Sequence, residues 1–377
     1  TVVKRAKEAG AIIIGKTAQD EFGFGSFSIN VGLGFDIPKN PFDKTRSCGG
    51  SSGGAGGITQ KASFPHIALG ESTGGSIVNP ASFCGVFGLC PTYGRVSRYG
   101  LMDYANSLDK IGPLGKSIYD VALLLETISG FDNNESTTIN NPTEKYTESI
   151  NTKTKNKIKN MRIGIIKESF KDIDKNVEKN VRNGIKKLEE HGAKAEEISL
   201  KLPIEHGLST YYIIATSEAS TNLAKYCGMR YGIAEKLEGN FNEYFTKVRS
   251  DNFGPEAKRR IILGTFARMS GYRDAYYIKA TKVRAMIVDE YKKLFKKYDA
   301  LVSPTMPIVA PKFSEIEKLT PLQNYMMDIM TVSPNLAGLP HLNVPAGESN
   351  GLPVGMMLTA DHLQEGKVIQ LGSIFDN

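Results

Sequence analysis

Two short segments rich in glycine and serine carry the residue types best suited to chemistry: Gly49-Gly50-Ser51-Ser52-Gly53-Gly54 and Thr73-Gly74-Gly75-Ser76. Successive backbone N–H groups in a tight glycine turn can converge on one oxygen, and a serine closing that turn can attack a carbonyl. Glycine suits this task because a side chain would block the approach of the carbonyl. The same residues also read as plain turns, and from composition alone the two readings stand level. Phosphate binding is weaker: neither segment has the GxGxxG form, and Gly15-Lys16-Thr17 lacks the upstream glycine of a Walker loop. His66 is the one histidine near these segments, the others standing at 191, 206, 341 and 362, so a Ser-His-Asp triad finds little support. Beside Pro65, His66 reads as a loop or packing residue.

The elements that must hold these segments alternate between strand and helix. Residues 1–9 read as a helix end closed by Gly10, and Ala11 to Ile14 as a short buried strand. Ser117 can cap a helix carrying Val121, Leu125 and Ile128. Residues 161–166 read as a buried strand, Val177, Val181, Ile185 and Leu188 as one face of a helix stopped at Gly192, and Ala195 to Ile198 as strand. Long helical patterns follow at 210–226 and 274–297, with another buried strand at Ala300 to Val302. This alternation predicts an α/β layered fold with a mostly parallel or mixed sheet. The Gly/Ser-rich stretch 45–60 sits between apolar segments, which points to a backbone packed close to its surroundings and not to a flexible linker. The tract 131–160 is polar and nearly free of large aliphatics, and reads as an exposed connector or insertion within a single domain spanning 1–377.

Bulk properties narrow the classes. A chain of 377 residues that is 40% hydrophobic can bury a large core. No apolar run is long enough to span a bilayer. The net charge of +7, from 47 basic and 40 acidic residues, is a mild excess without a dense basic cluster. Cys48, Cys84, Cys90 and Cys227 show no metal spacing and read as free thiols; no metal site is expected. The sequence opens at Thr1 inside a helix-to-strand unit, so a chain truncated at its N-terminus is expected, with any targeting peptide illegible.

The run GGSSGG, TGGSI and FCGVFGLCPTYGRVSRYGL resembles the amidase signature family, in which a Ser–cis-Ser–Lys triad replaces the histidine triad. The similarity extends over nearly the whole chain through GKTAQDEFGFGS (15–26), KNPFDKTR (39–46), SLDKIGP (107–113), FGPEAKRRIILGTF (253–266), GYRDAYY (271–277) and SPNLAGLP (333–340). Within the family it is nearest to the glutaminase components of tRNA-dependent amidotransferases. The resemblance implies a mixed central β-sheet sandwiched between layers of α-helices. It implies Ser76 as nucleophile, Ser51 as the cis-peptide serine that relays its proton, and Thr73, Gly74 and Gly75 as the oxyanion hole. It further implies Arg260 on a glutamine α-carboxylate, Asp328 on the α-ammonium, and Tyr211 or its neighbour Tyr212 lining the pocket. The function implied is hydrolysis of glutamine to supply ammonia for converting Glu-tRNA(Gln) to Gln-tRNA(Gln). Subunits B and C would complete a heterotrimer in the cytoplasm, or in an organelle if eukaryotic. ATP and Mg would belong to the partner B subunit, leaving no cofactor on this chain.

Several positions depart from the family pattern. The triad lysine has no equivalent in residues 1–377; Lys16 belongs to a separate motif and reads as structural. Ser72 and Val78 replace an aspartate and an arginine, Cys90 replaces a lysine, and Cys227 stands where aspartate is common. Without the lysine, the chain alone is expected to lack glutaminase activity. Two rivals follow: a stand-alone amidase acting on a small carboxamide, and a catalytically inactive assembly subunit or fragment.

Overall fold

The computed structural model describes residues 1–32, 34–150 and 158–376. Among these residues eight strands form one sheet: β1 (Ile67–Ser72), β2 (Phe87–Cys90), β3 (Lys110–Gly115), β4 (Arg162–Ile166), β5 (Lys194–Ile198), β6 (Ala300–Pro304), β7 (His341–Ser349) and β8 (Leu352–Thr359). Their spatial order is β1-β3-β2-β7-β8-β6-β4-β5. Pairing is parallel only where β4 meets β5 and β6; the other neighbours run antiparallel, so the sheet is mixed and mostly antiparallel.

Thirteen α-helices among the described residues surround it. Those of the first half are α1 (Val2–Glu8), α2 (Gly53–Lys61), α3 (Val78–Cys84), α4 (Ile118–Ile128) and α5 (Lys175–Glu190). After β5 come α6 (Lys201–Asn222), α7 (Phe241–Asn252), α8 (Pro255–Arg268) and α9 (Lys279–Phe295). The short helices α10 (Phe313–Ile316), α11 (Pro321–Met326) and α12 (Val332–Leu336) precede β7, and α13 (Glu365–Gly372) follows β8.

Alternation along the central strands explains the layering. On β6, Ala300 and Val302 enter one apolar cluster with α4, α5 and α13, while Leu301 enters a second with α6, α8 and α9. On β8, Val354, Met356 and Leu358 face the first cluster and Met357 the second. The mixed sheet is thus sandwiched between helical layers. Helix α4 begins as its sequence predicts: Asp120 N–H donates to Ser117 Oγ (3.1 Å) and Ser117 N–H to Asp120 Oδ2 (3.2 Å), a capping box. Helix α5 buries Val177, Val181, Ile185 and Leu188 as expected.

Residues Ala11 to Ile14 depart from the expected buried strand. They are irregular, and Ile12, Ile13 and Ile14 are exposed by 87%, 52% and 62%. No strand pairs with them among the described residues, so their apolar character finds no sheet face to join. Within the polar tract, Asp132, Thr138 and Tyr146 are buried. Tyr146 accepts a hydrogen bond from Arg95 Nε at 3.0 Å, and Arg95 NH1 and NH2 donate to the carbonyls of Asn141 and Pro142. The segment from 131 to 150 is therefore tied to the body at several points; residues 151–157 lie outside the described part.

Candidate active site

The two glycine–serine segments meet where α2 and α3 begin. Ser51 and Ser52 lead into α2, and Ser76 follows β1 just before α3. Ser52 N–H donates to the Ser76 carbonyl (3.2 Å), stitching the segments together. The Gly50–Ser51 peptide is cis. Ser51 is fully buried; its carbonyl accepts from Asp20 N–H (3.1 Å) and Ser28 Oγ (2.9 Å), while its own Oγ has no hydrogen-bond partner among the described residues. Ser76 is 9% exposed. The density of glycine around Ser51 reflects close approach: a Cβ on Gly50 would stand 2.6 Å from Phe27 N, and one on Gly54 would meet the backbone of Ala18.

In the second segment, Gly75 has φ +142°, and a Cβ there would collide with the Thr331 hydroxyl. That hydroxyl donates to the Gly74 carbonyl at 2.6 Å, and Gly75 N–H donates to Ser72 Oγ at 3.1 Å. A Cβ on Gly74 would lie 2.5 Å from the Tyr211 ring, so Tyr211 packs directly on the turn. Thr73 Oγ1 lies between Glu71 Oε1 (2.9 Å) and Asp109 Oδ1 (2.7 Å). One hydroxyl proton serves only one acceptor, so the second contact needs a protonated carboxyl as donor. Burial, together with the Asp109 charge, pushes Glu71 up to about 8, and burial pushes Asp109 up to about 7.

Arg260, on α8, is buried. Its Nε donates to Glu256 Oε1 (2.8 Å) and its NH1 to the Tyr104 hydroxyl (2.6 Å). Its guanidinium lies 5.0–5.6 Å from the ring centres of Phe24, Tyr104, Tyr212 and Tyr325, a cation held by aromatic faces. Asp328 accepts from Ser26 Oγ (2.9 Å) and the Tyr212 hydroxyl (2.8 Å), and burial pushes its carboxyl up to about 6. Ser26, Asn30, Glu256, Arg260 and Tyr325 line a small cavity of about 80 Å³. Tyr104 joins the two halves of the site: its hydroxyl accepts from Arg260 and its N–H donates to Asp109, which in turn holds Thr73. Asn79 on α3, three residues past Ser76, donates to the Ser26 carbonyl (3.0 Å).

One region thus gathers Ser51, Thr73, Gly74, Gly75, Ser76, Tyr211, Arg260 and Asp328. Tyr211 and Tyr212 both line it, the first against Gly74 and the second on Asp328. His66 lies apart, edge-on to Phe64, and Lys16 is exposed. Among the departures, Ser72 receives the Gly75 N–H, Val78 packs in the cluster with Phe24 and Tyr104, and Cys90 Sγ lies 3.6 Å from Asn335 Oδ1. Sequence reasoning assigned no role to Glu71, Tyr104, Asp109, Glu256, Ser26 or Tyr325. Glu71 and Asp109 were open to it, since one directly precedes the Ser72–Ser76 motif and the other sits inside SLDKIGP.

A family model described as Amidase matches residues 1–369. A protein of Halothermothrix orenii named as the A subunit of glutamyl-tRNA(Gln) amidotransferase is 48% identical over 372 residues, covering 98% of this chain and 76% of its own length. One of the same name from Sulfurihydrogenibium sp. is 45% identical over 378 residues, covering 100% and 76%. The crystal structure of a glutamyl-tRNA(Gln) amidotransferase A subunit from Thermotoga maritima is 39% identical with a TM-score of 0.80, covering 98% of this chain and 74% of that one. With the serine pair and its glycine turns in place on this fold, the chain belongs to the amidase family.

Proposed function

We propose that this chain is the glutamine-hydrolysing component of a tRNA-dependent amidotransferase, supplying ammonia for conversion of Glu-tRNA(Gln) to Gln-tRNA(Gln). The observation that carries this reading beyond a general amidase is the placing of buried Arg260 and half-buried Asp328, bridged by Tyr212, beside the Ser76 turn. A guanidinium and a carboxylate at one end of a cleft suit the two charges of an amino acid, and a simple carboxamide would leave both unused. In this reading Ser76 Oγ attacks the side-chain amide carbon, Ser51 relays its proton, and the backbone of Thr73 to Ser76 steadies the oxyanion. Relatives named as components of an amidotransferase support partners of B and C type. ATP and Mg act on the B partner, and the complex works where its tRNA is, in the cytoplasm or an organelle.

The family's lysine has no counterpart within residues 1–377, and Ser51 Oγ lacks a basic partner among the described residues. A serine without a base keeps its binding site while losing about 10²–10⁴ in rate. The 377-residue chain alone therefore binds glutamine but releases negligible ammonia near neutral pH. Calorimetry with glutamine and propionamide, together with an ammonia assay at neutral pH, tests this. Glutamine binding that Arg260→Ala and Asp328→Asn remove is the expected result. Equal binding of propionamide would favour a simple amidase, and robust ammonia release at neutral pH abolished by Ser76→Ala would sink the claim of inactivity.

A further inference from the structure

Four neighbouring strands have an end behind the Ser76 turn. Across them Ser72 on β1 stands opposite Lys110 on β3, and Cys90 on β2 opposite His341 on β7. Asn335, on α12, meets this row, and Asn335, Cys90 and His341 are all buried. Asn335 Nδ2 lies 2.9 Å from the Thr331 carbonyl and 3.4 Å from His341 Nε2, while its Oδ1 lies 3.6 Å from Cys90 Sγ. These contacts fix which way the amide points. A carbonyl only accepts, so His341 Nδ1, 3.0 Å from the Leu339 carbonyl, carries a proton. Burial and the Lys110 charge push the imidazole pKa well below its usual value, which keeps the ring neutral and leaves Nε2 as an acceptor. Nε2 and the Thr331 carbonyl both need a donor, and Asn335 Nδ2 supplies both; Oδ1 is left to accept from the Cys90 thiol. A flipped amide would set an oxygen against two acceptors.

Thr331 passes this order to the turn. Its hydroxyl donates to the Gly74 carbonyl at 2.6 Å, and Gly75 N–H, from the same peptide, donates to Ser72 Oγ at 3.1 Å. The Gly74–Gly75 peptide is therefore held at both of its polar atoms, with its N–H spent on Ser72. The N–H groups of Gly74 and Ser76, on either side of it, donate to no atom among the described residues and are left for a developing oxyanion. Ser72 and Cys90, two positions at which the chain departs from the family pattern, both belong to this network.

On the reading that Ser76 is the nucleophile, we propose that Asn335 is a positioning residue for the oxyanion turn. Oriented by Cys90 and His341, it holds Thr331, and through Thr331 it sets the peptide that aims the flanking N–H donors. Such donors owe their effect to an alignment fixed before the reaction. Loosening that peptide therefore weakens the hold on a tetrahedral adduct more than the hold on a planar amide.

The test compares two ligands on the full chain: glutamine, and the amino acid in which a boronic acid replaces its carboxamide. Ser76 Oγ adds to the boron, the hydroxyl proton leaves to the buffer, and the tetrahedral boronate sets one oxygen where the oxyanion would form. Calorimetry gives both affinities, and boron NMR reports the tetrahedral adduct. Ser76→Ala removes the tetrahedral signal; its persistence would overturn the nucleophile assignment itself, separately from the role of Asn335. Asn335→Ala lowers the ratio of boronate to glutamine affinity by about tenfold or more. An effect passed to Asp328 cancels in that ratio, because both ligands carry the same α-ammonium. Thr331→Val lowers the ratio at least as far, and the double variant falls no further than Thr331→Val alone, since the two residues act in series. Should Asn335→Ala not fold, Cys90→Val, which deletes the thiol donor, decides the matter: it lowers the ratio, and Cys90→Ser, which keeps a donor, restores it. An unchanged ratio in the deciding variant, or losses that add in the double variant, would overturn the proposal.

Discussion

Gly74 and Tyr211 illustrate how single residues set the site. The ring packs where a Cβ would stand, so Gly74→Ala forces the tyrosine off the turn. Overpacking of this kind costs about 1–3 kcal/mol, and we expect a lower melting temperature together with weaker glutamine binding. Tyr104→Phe acts differently: it strands a buried Arg260 N–H that now donates at 2.6 Å, a loss of about 1–3 kcal/mol measurable by denaturant unfolding. Asp328 gives a pH signature. An ammonium ligand needs the charged carboxylate, and burial holds the Asp328 carboxyl up to about 6. Glutamine affinity should therefore fall by about tenfold for each pH unit below that point, and Asp328→Asn should bind weakly at every pH. Titration calorimetry on either side of that value decides it.

At the scale of elements, the contact between α6 and α8 carries Arg260 toward the serines. These helices cross where Gly264 meets Thr216: a Cβ on Gly264 would collide with the Thr216 carbonyl. Gly264→Ala must push α8 outward, and with it Arg260 one turn earlier on the same helix. The expected outcome is a loss of about 1–3 kcal/mol in stability and weaker glutamine binding, although residue 264 touches neither serine. Ser117→Ala, by contrast, removes only the cap of α4 and should cost about 1 kcal/mol with glutamine binding unchanged. Comparing the two by calorimetry and unfolding separates an element that aims the site from one that only supports the sheet.

Across the whole molecule, four acids around the site have carboxyl groups whose burial favours the protonated form. Burial raises Asp20 to about 7, Asp109 to about 7, Glu71 to about 8 and Asp328 to about 6. Each folded-state value lies above its value in an unfolded chain, so the folded state keeps protons that the unfolded state has released. Their contribution is fully present below about pH 4, the unfolded carboxylate range, and is lost as pH rises through about 6 to 8. Thermal stability should decline across that window, each group contributing up to about 1.4 kcal/mol per pH unit. Asp20→Asn should flatten the decline without reversing it, as followed by melting from mildly acidic to mildly alkaline pH. A slope unaffected by that change would show that Asp20 is ionised in the folded protein.

The sequence by itself marked the two glycine–serine segments, the layered α/β class and the helices with a clean apolar face, because turn glycines, caps and helical periodicity are local properties; the serine roles came from the family resemblance. It could not find β1, β2, β3, β7 and β8, whose glycines and prolines, as in KIGPLG, weaken the strand signal and which exist only through pairing with distant partners. It misread Ala11 to Ile14 because an apolar run is a strand only where a sheet edge receives it. Arg260 and Asp328 stood out through family resemblance and not through spacing. Only the tertiary structure set Glu71, Thr73 and Asp109 in one hydrogen-bonded cluster and buried Ser51 beside the Ser76 turn, since burial and proximity are properties of the folded chain as a whole.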